Sequence, residues 1–260
     1  MEVLKKLSFF HPLPGILLDY RTFSKIKSTY TENLVEMINP QTGRIHTTYL
    51  QTGTQTGRLS SKDPNLQNIP IRSSIGREIR HAFVPQSGWK LMSADYSQIE
   101  IFLLAEFSED EILQKAIING EDIHAGTAAI LFDKQAAEVS KEERMIAKTV
   151  NFGILYGQSA FGLANELQIS RTQAMNFIEK YFENYSGVKR YIEKLKELCR
   201  QNSYSSTYWG RHRTIREIHE KNKNIRENGE RMAVNSVIQG TAADLIKQAM
   251  IRAVAEIKKQ

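Results

Sequence analysis

Arg144, Lys148, Phe152 and Tyr156 recur every fourth residue. On a helix this spacing lines two cations and then two aromatic rings along one slowly drifting face. At about 1.5 Å of rise per residue the stripe is roughly 18 Å long. That is the outline of a nucleotide, with cations where phosphates would lie and rings where a sugar and base would lie. The competing reading is a buried core face, the usual meaning of periodic aromatics. Two cations on the same stripe argue against it, because burying a charge without a partner is costly.

Other residues extend the same chemistry. Asp95 ends a strand candidate at residues 90–95, and a helix begins at once, so its carboxylate suits a divalent metal. Mg²⁺ on a triphosphate typically takes one or two protein carboxylates, with phosphate and water completing the shell. A helix-capping aspartate is the alternative. Glu100 is either a solvated helix residue or a carboxylate standing near the sugar. A second four-residue stripe, Arg231, Asn235 and Gln239, carries hydrogen-bond donors. Donors aimed at the minor groove meet purine N3 or pyrimidine O2 in every base pair, and so hold a duplex without reading its sequence. An exposed polar helix face is the bland alternative. The segments TGRLSS (56–61) and LQNIP (66–70) add Arg58, Gln67 and Asn68, all able to contact phosphate, sugar or minor-groove acceptors. His124, within DIH (122–124), reads as a phosphate ligand or as an ordinary helix-start histidine.

The elements that must position these groups are legible in outline. Ser140 and Glu143 have capping-box spacing ahead of the stripe helix, and Ala147, Val150 and Ile154 give it a separate apolar side. The same spacing at Ser108 with Glu111 and at Ser170 with Gln173 predicts two more helix starts, while Gly120 and Gly187 predict ends or turns. A short helix, a turn at 11–15 and a second helix are expected first. Strands are expected at 46–50 and 90–95, an apolar helix at 99–107, a hairpin at 204–214 around Gly210, and a long helix from about residue 224 onward. Strands on both sides of a helical insertion imply an α+β fold, a sheet platform with a helical subdomain.

Composition narrows the class. The 260 residues are 41% hydrophobic, ordinary for a globular chain with its own core, and the net charge of +6 favours a polyanionic partner. A single cysteine, Cys199, excludes an internal disulfide framework and cysteine-cluster metal sites, and fits a reducing, intracellular compartment. No apolar run approaches the roughly 20 residues of a membrane span, and no membrane partner is expected.

Taken together and in this order, the runs closely resemble the family A DNA polymerases, the DNA polymerase I type, over essentially the whole chain. DYSQIE (95–100) resembles the family's first catalytic motif, and RMIAKTVNFGILYG (144–157) its nucleotide-binding fingers helix. TGRLSS and LQNIP resemble its primer-template segment, and ERMAVNSVIQGTAADL (230–245) the helix before its last motif. The resemblance implies a right-hand polymerase with an incomplete antiparallel-sheet palm and a large helical fingers subdomain. Residues 1–28 would end the thumb, 29–107 and 225–260 would belong to the palm, and 108–224 to the fingers. It implies DNA-directed addition of dNTPs to a primer 3′-hydroxyl by a two-metal reaction, with primer-template DNA and dNTPs as partners. The protein would be a monomer in the cytoplasm, at the nucleoid.

By the same resemblance Asp95, with the Tyr96 carbonyl, would hold two Mg²⁺ ions. Glu100 would disfavour a ribose 2′-hydroxyl. Arg144, Lys148 and His124 would hold the triphosphate, and Lys148 would also protonate the leaving pyrophosphate. Phe152 would pack on the sugar, and Tyr156 would stand at the template-base position before the fingers close. Arg58, Arg231, Asn235 and Gln239 would track the minor groove, with Gln67 and Asn68 on the DNA. Two departures stand out. Ile101 and Phe102 follow Glu100 where the family usually has Leu-Arg, and the sequence reaches Gln260 before the His-Asp-Glu run that supplies the second metal-binding aspartate. The alternatives are therefore a non-catalytic DNA- and nucleotide-binding fragment and, further off, a single-subunit RNA polymerase relative.

Overall fold

The computed structural model describes residues 2–70 and 74–259. Residues 71–73, inside the expected palm segment, and the end residues Met1 and Gln260 lie outside the described residues. The chain forms two units, one from Met1–Gly53 with Leu59–Ala94, the other from Thr54–Arg58 with Asp95–Gln260.

The first unit opens with α1 (Glu2–Leu7) and α2 (Pro12–Ile26), which runs through a wider π-type turn (Lys27–Glu32) into α3 (Asn33–Glu36). The expected turn at 11–15 is shorter than its prolines and glycine suggest. His11 caps α2, its Nδ1 accepting from the Leu13 N–H at 3.1 Å, and Pro12 and Pro14 lie within the first turn. First-turn N–H groups have no helical partner, so proline loses nothing there. β1 (Ile38–Asn39) pairs with β2 (Arg44–Ile45), and β3 (Thr48–Leu50) with β4 (Ser60–Lys62), both antiparallel. The expected strand at 46–50 thus begins two residues late, since the ladder with β4 starts at the Thr48 and Lys62 pair; the His46 ring meets the Thr42 hydroxyl at 2.7 Å. A 3₁₀ turn (Leu66–Asn68) and α4 (Ser74–His81) complete this unit.

Residues 90–95 are not a strand. Their backbone is irregular and finds no ladder partner among the described residues, with Leu91 and Met92 exposed at 69% and 76%. Side-chain pattern cannot supply the neighbour whose N–H and C=O groups a strand needs.

The second unit is a helical cluster: α5 (Ile99–Ser108), α6 (Glu111–Ile118), α7 (Ile123–Phe132), α8 (Lys141–Leu155), α9 (Ala160–Leu167), α10 (Arg171–Asn184) and α11 (Ser186–Asn202). The hairpin β5 (Tyr204–Ser206) with β6 (His212–Thr214) leads to α12 (Lys223–Ile257). Its core gathers Leu104, Leu113, Leu131, Val150, Leu163, Tyr181, Val188 and Ile238, one stripe from each helix. The capping boxes at Ser140/Glu143 and Ser170/Gln173 form as read. Ser108 does not cap. It is the buried last residue of α5, and Asp110 takes the cap of α6 by accepting from the Leu113 N–H. Gly187 does not end a helix either. It lies in the first turn of α11, where its N–H donates to Asp110 Oδ2 at 2.8 Å and an added Cβ would come within 2.9 Å of Asp110.

The fold is α+β, mostly helical, with its strands in three separate two-stranded antiparallel ribbons among the described residues. No described helix is long and apolar enough to cross a membrane.

Candidate functional site

The stripe of α8 divides along its length: Lys148 is exposed and Arg144 half-buried, while Phe152 and Tyr156 are half-buried and pack against the edge of the core. Ala147 and Val150 are completely buried and Ile154 nearly so, which leaves the cationic end, Arg144 and Lys148, turned toward solvent. The helix then stops in a Schellman motif. The Gln158 N–H reaches Gly153 O at 2.7 Å, the Gly157 N–H reaches Ile154 O at 2.9 Å, and Gly157 takes φ +68°. Tyr156 is therefore the capping residue, at the point where the chain turns toward α12.

At the cationic end, Arg144 Nε donates to Asp122 Oδ2 at 2.7 Å. Asp122 also caps α7, accepting from the N–H groups of His124 and Ala125 at 3.0 and 3.1 Å. Burial pushes its carboxyl up, but the Arg144 bond and charge and the two N–H groups outweigh this and hold it below the usual range. One guanidinium edge is occupied, and Arg144 retains donors for a phosphate. Lys148 is exposed one turn on.

His124 is 2% exposed and packs its ring against Phe152, centroids 5.9 Å apart. Its Nδ1 lies 3.0 Å from Asn151 Nδ2, and Asn151 is tied in turn to the fully buried Thr127 hydroxyl at 3.1 Å. Burial above all, then the charges of Arg144 and Lys148, lower the His124 pKa against the opposing pull of Asp122. A neutral ring whose Nδ1 accepts from Asn151 carries its proton on Nε2.

At the aromatic end, Phe152 and Tyr156 stack at 6.0 Å. The Tyr156 hydroxyl donates to Glu100 Oε2 at 2.7 Å, and the Arg58 guanidinium donates to Glu100 Oε1. Glu100 is only 7% exposed, so it is not a solvated helix residue. Burial, then the bond to Glu100 and its charge, push the Tyr156 hydroxyl well above its usual range. Asn235 Nδ2 reaches the Tyr156 carbonyl at 3.4 Å, while Asn235 Oδ1 and Gln98 Oε1 are buried without a partner among the described residues. Arg231 packs over Gly157 and bonds Asn228 Oδ1.

The structure thus brings together Arg58, Glu100, Phe152, Tyr156 and Asn235, and separately Arg144, His124 and Phe152. Gln239 is half-buried on α12, apart from these contacts. Gln67 and Asn68 lie in the first unit, where Gln67 Nε2 bonds Leu59 O at 3.0 Å and the Asn68 carbonyl accepts from Tyr30. Ile101 is buried, whereas Phe102, the departure from the family pattern, is 43% exposed. Asp122, Asn151 and Gln98 escape a reading of the sequence alone. Only Asp122 leaves a trace there, as a cap residue two positions before His124.

Asp95 and Tyr96 are exposed on irregular backbone ahead of α5. Among the described residues no three His, Cys, Asp or Glu side chains form a metal-holding group. One carboxylate with a backbone carbonyl fits Mg²⁺ that keeps phosphate and water ligands, and does not fit an all-protein cage.

A sequence profile of DNA polymerase family A matches residues 1–260. The chain belongs to DNA polymerase family A. It is 49% identical over 258 residues to a DNA polymerase I of Caldicellulosiruptor bescii, covering 99% of this chain and 30% of that protein. It is 48% identical over 259 residues to a DNA polymerase I of Chloroflexus aurantiacus, covering 100% of this chain and 27% of the relative. Among solved structures, the POL domain of Pol1 from M. smegmatis, in complex with DNA primer-template and dNTP, superposes with a TM-score of 0.90 at 42% identity. That match covers 98% of this chain and 45% of the other. The family A chain described here therefore spans about a third or less of the curated relatives it matches.

Proposed function

We propose that this chain is the nucleotide- and template-engaging part of a DNA-directed DNA polymerase, which joins dNTPs to a primer 3′-hydroxyl with release of pyrophosphate. The observation that carries the reading is the order along one stripe of α8. Cations stand at one end, rings follow, and a buried carboxylate closes the far end between Tyr156 and Arg58.

Arg144 and Lys148 bind the triphosphate, and His124 donates from Nε2 to a phosphate oxygen. These groups offset charge that grows on the phosphates as the bond to the leaving group breaks, and Lys148 gives the pyrophosphate its proton. Phe152 supports the sugar. Glu100, fixed from both sides by Arg58 and Tyr156, disfavours a ribose 2′-hydroxyl by its bulk. Tyr156 fills the template-base position until its bond to Glu100 opens. Arg58, Arg231, Asn235 and Gln239 follow the minor groove, with Gln67 and Asn68 on the DNA beyond. Asp95 and the Tyr96 carbonyl would hold Mg²⁺, which neutralises phosphate charge and activates the attacking hydroxyl; a second ion needs a further carboxylate.

In this reading residues 1–28 end the thumb, 29–107 and 225–260 are palm, and 108–224 are fingers, in a cytoplasmic, nucleoid-associated monomer. Among the described residues Asp95 belongs to no group of three His, Cys, Asp or Glu side chains that could hold a metal, which keeps one alternative, a DNA- and nucleotide-binding module without chemistry of its own. Primer extension with Mg²⁺ and four dNTPs separates the two. Templated extension abolished by Asp95→Asn is expected for a polymerase; tight binding with no extension selects the alternative.

A further inference from the structure

Arg58 sits in a five-residue loop, Thr54–Arg58, which belongs to the second unit although residues on both sides belong to the first. Within the loop the Thr54 hydroxyl donates to the Arg58 carbonyl at 2.7 Å. From outside, the loop is held by the 204–214 hairpin. Arg211 Nη2 donates to Thr56 O at 2.8 Å, and Arg213 donates to the Gln55 side chain.

Arg211 does more than hold the loop. The same Nη2 donates to Gly240 O at 3.0 Å, beside Gln239 on α12. Its Nε donates to Asp244 Oδ1 at 3.0 Å, while Asp244 Oδ2 accepts from Thr207 at 2.8 Å, which fixes the carboxylate. One planar guanidinium thus ties the Arg58 loop, α12 and the hairpin together, contacts 155, 29 and 33 residues apart in sequence.

Two glycines make room for it. A Cβ on Gly57, which takes φ +79°, would lie 2.5 Å from the Arg211 guanidinium. A Cβ on Gly240 would lie 2.8 Å from Arg211 Nη2 and 2.6 Å from Thr207 Cγ2. A lysine ammonium is a single donor nitrogen and cannot meet both carbonyls through one nitrogen and Asp244 through another, as the planar fork does.

We propose that Arg211 is a positioning residue for minor-groove recognition: by clasping Thr56 to Gly240 and Asp244, it sets Arg58 at a fixed place relative to Glu100 and Gln239. The inference rests on the DNA-binding reading above. It needs no chemistry from Arg211 itself, only that Arg58 loses its aim when the clasp opens.

The test is equilibrium binding of the chain to primer-template DNA ending in guanine or in 3-deazaguanine, which lacks the N3 acceptor. Wild type, Arg211→Lys and Asp244→Asn are compared, with thermal unfolding of each. Loss of a hydrogen bond to a charged donor is expected to weaken wild-type binding about tenfold. In Arg211→Lys the two DNAs should bind within about twofold, with Asp244→Asn intermediate. A merely structural defect would weaken both DNAs alike and keep their ratio. A retained tenfold ratio in folded Arg211→Lys, or in Asp244→Asn should the lysine variant not fold, overturns the proposal. Failure of wild type to bind primer-template at all overturns the DNA-binding reading, and the clasp proposal with it.

Discussion

The Tyr156 hydroxyl donates to Glu100 Oε2 at 2.7 Å, joining residues 56 apart in sequence. With Arg58 on the other oxygen, the contact converts a buried carboxylate into a fixed wall at the aromatic end of the stripe. The three side chains consequently respond to change as a group.

Tyr156→Phe should cost about 1–2 kcal/mol of stability, because it leaves one oxygen of a buried carboxylate short of a donor. Urea unfolding at neutral pH measures this. The raised Tyr156 pKa also has a direction in pH. The folded chain keeps a proton that the unfolded chain loses, so the stabilisation is full below about pH 10 and fades as pH rises beyond it. Tyr156→Phe should flatten that alkaline decline.

His124 acts at the other end of the pH scale. Its lowered pKa means that the unfolded chain takes up the proton first, so the contribution is present above about pH 6.5 and is lost as pH falls below it. Arg144 and Lys148 of α8 and Asp122 at the start of α7 are the charges that act on the ring. Urea midpoints measured at about pH 7.5 and about pH 5.5 should differ less in His124→Gln than in wild type.

Gly157 and Gly120 share φ +68°, but only Gly157 has a neighbour, with Arg231 Cγ 2.8 Å from an added Cβ. Alanine at either position costs about 1–2 kcal/mol for the left-handed backbone. Gly157→Ala should cost more than Gly120→Ala and should also weaken DNA binding, because Arg231 must move. Equal costs would show that Arg231 gives way freely.

Phe152 carries no hydroxyl on the side expected to meet the sugar. A polymerase containing this chain should therefore select against dideoxynucleotides, and Phe152→Tyr should relax the selection. Steady-state incorporation ratios of ddNTP to dNTP for the two proteins check it.

The sequence reveals these features unevenly, for physical reasons. The capping boxes at Ser140 and Ser170 and the apolar side of α8 are local, set by residues three or four apart, and they are readable from spacing alone. The strand expected at 90–95 needs a partner that no local pattern contains. Ser108 has the right spacing to Glu111, yet Asp110 is a better acceptor two residues nearer and wins the cap. The expected nucleotide stripe is legible as a face, but what closes it is not. Glu100 and Arg58 arrive from distant segments, and the Arg211 clasp works through the carbonyls of Thr56 and Gly240, which no side-chain pattern encodes.

The most direct measurement is the stability of a complex of this chain with a dideoxy-terminated primer-template, challenged by competitor DNA in the presence of each nucleotide. The complementary dNTP should prolong the complex beyond any mismatched dNTP and beyond the matching rNTP, and Lys148→Ala should remove that gain. Equal lifetimes with all dNTPs and rNTPs would contradict the assignment of the stripe to a templated nucleotide.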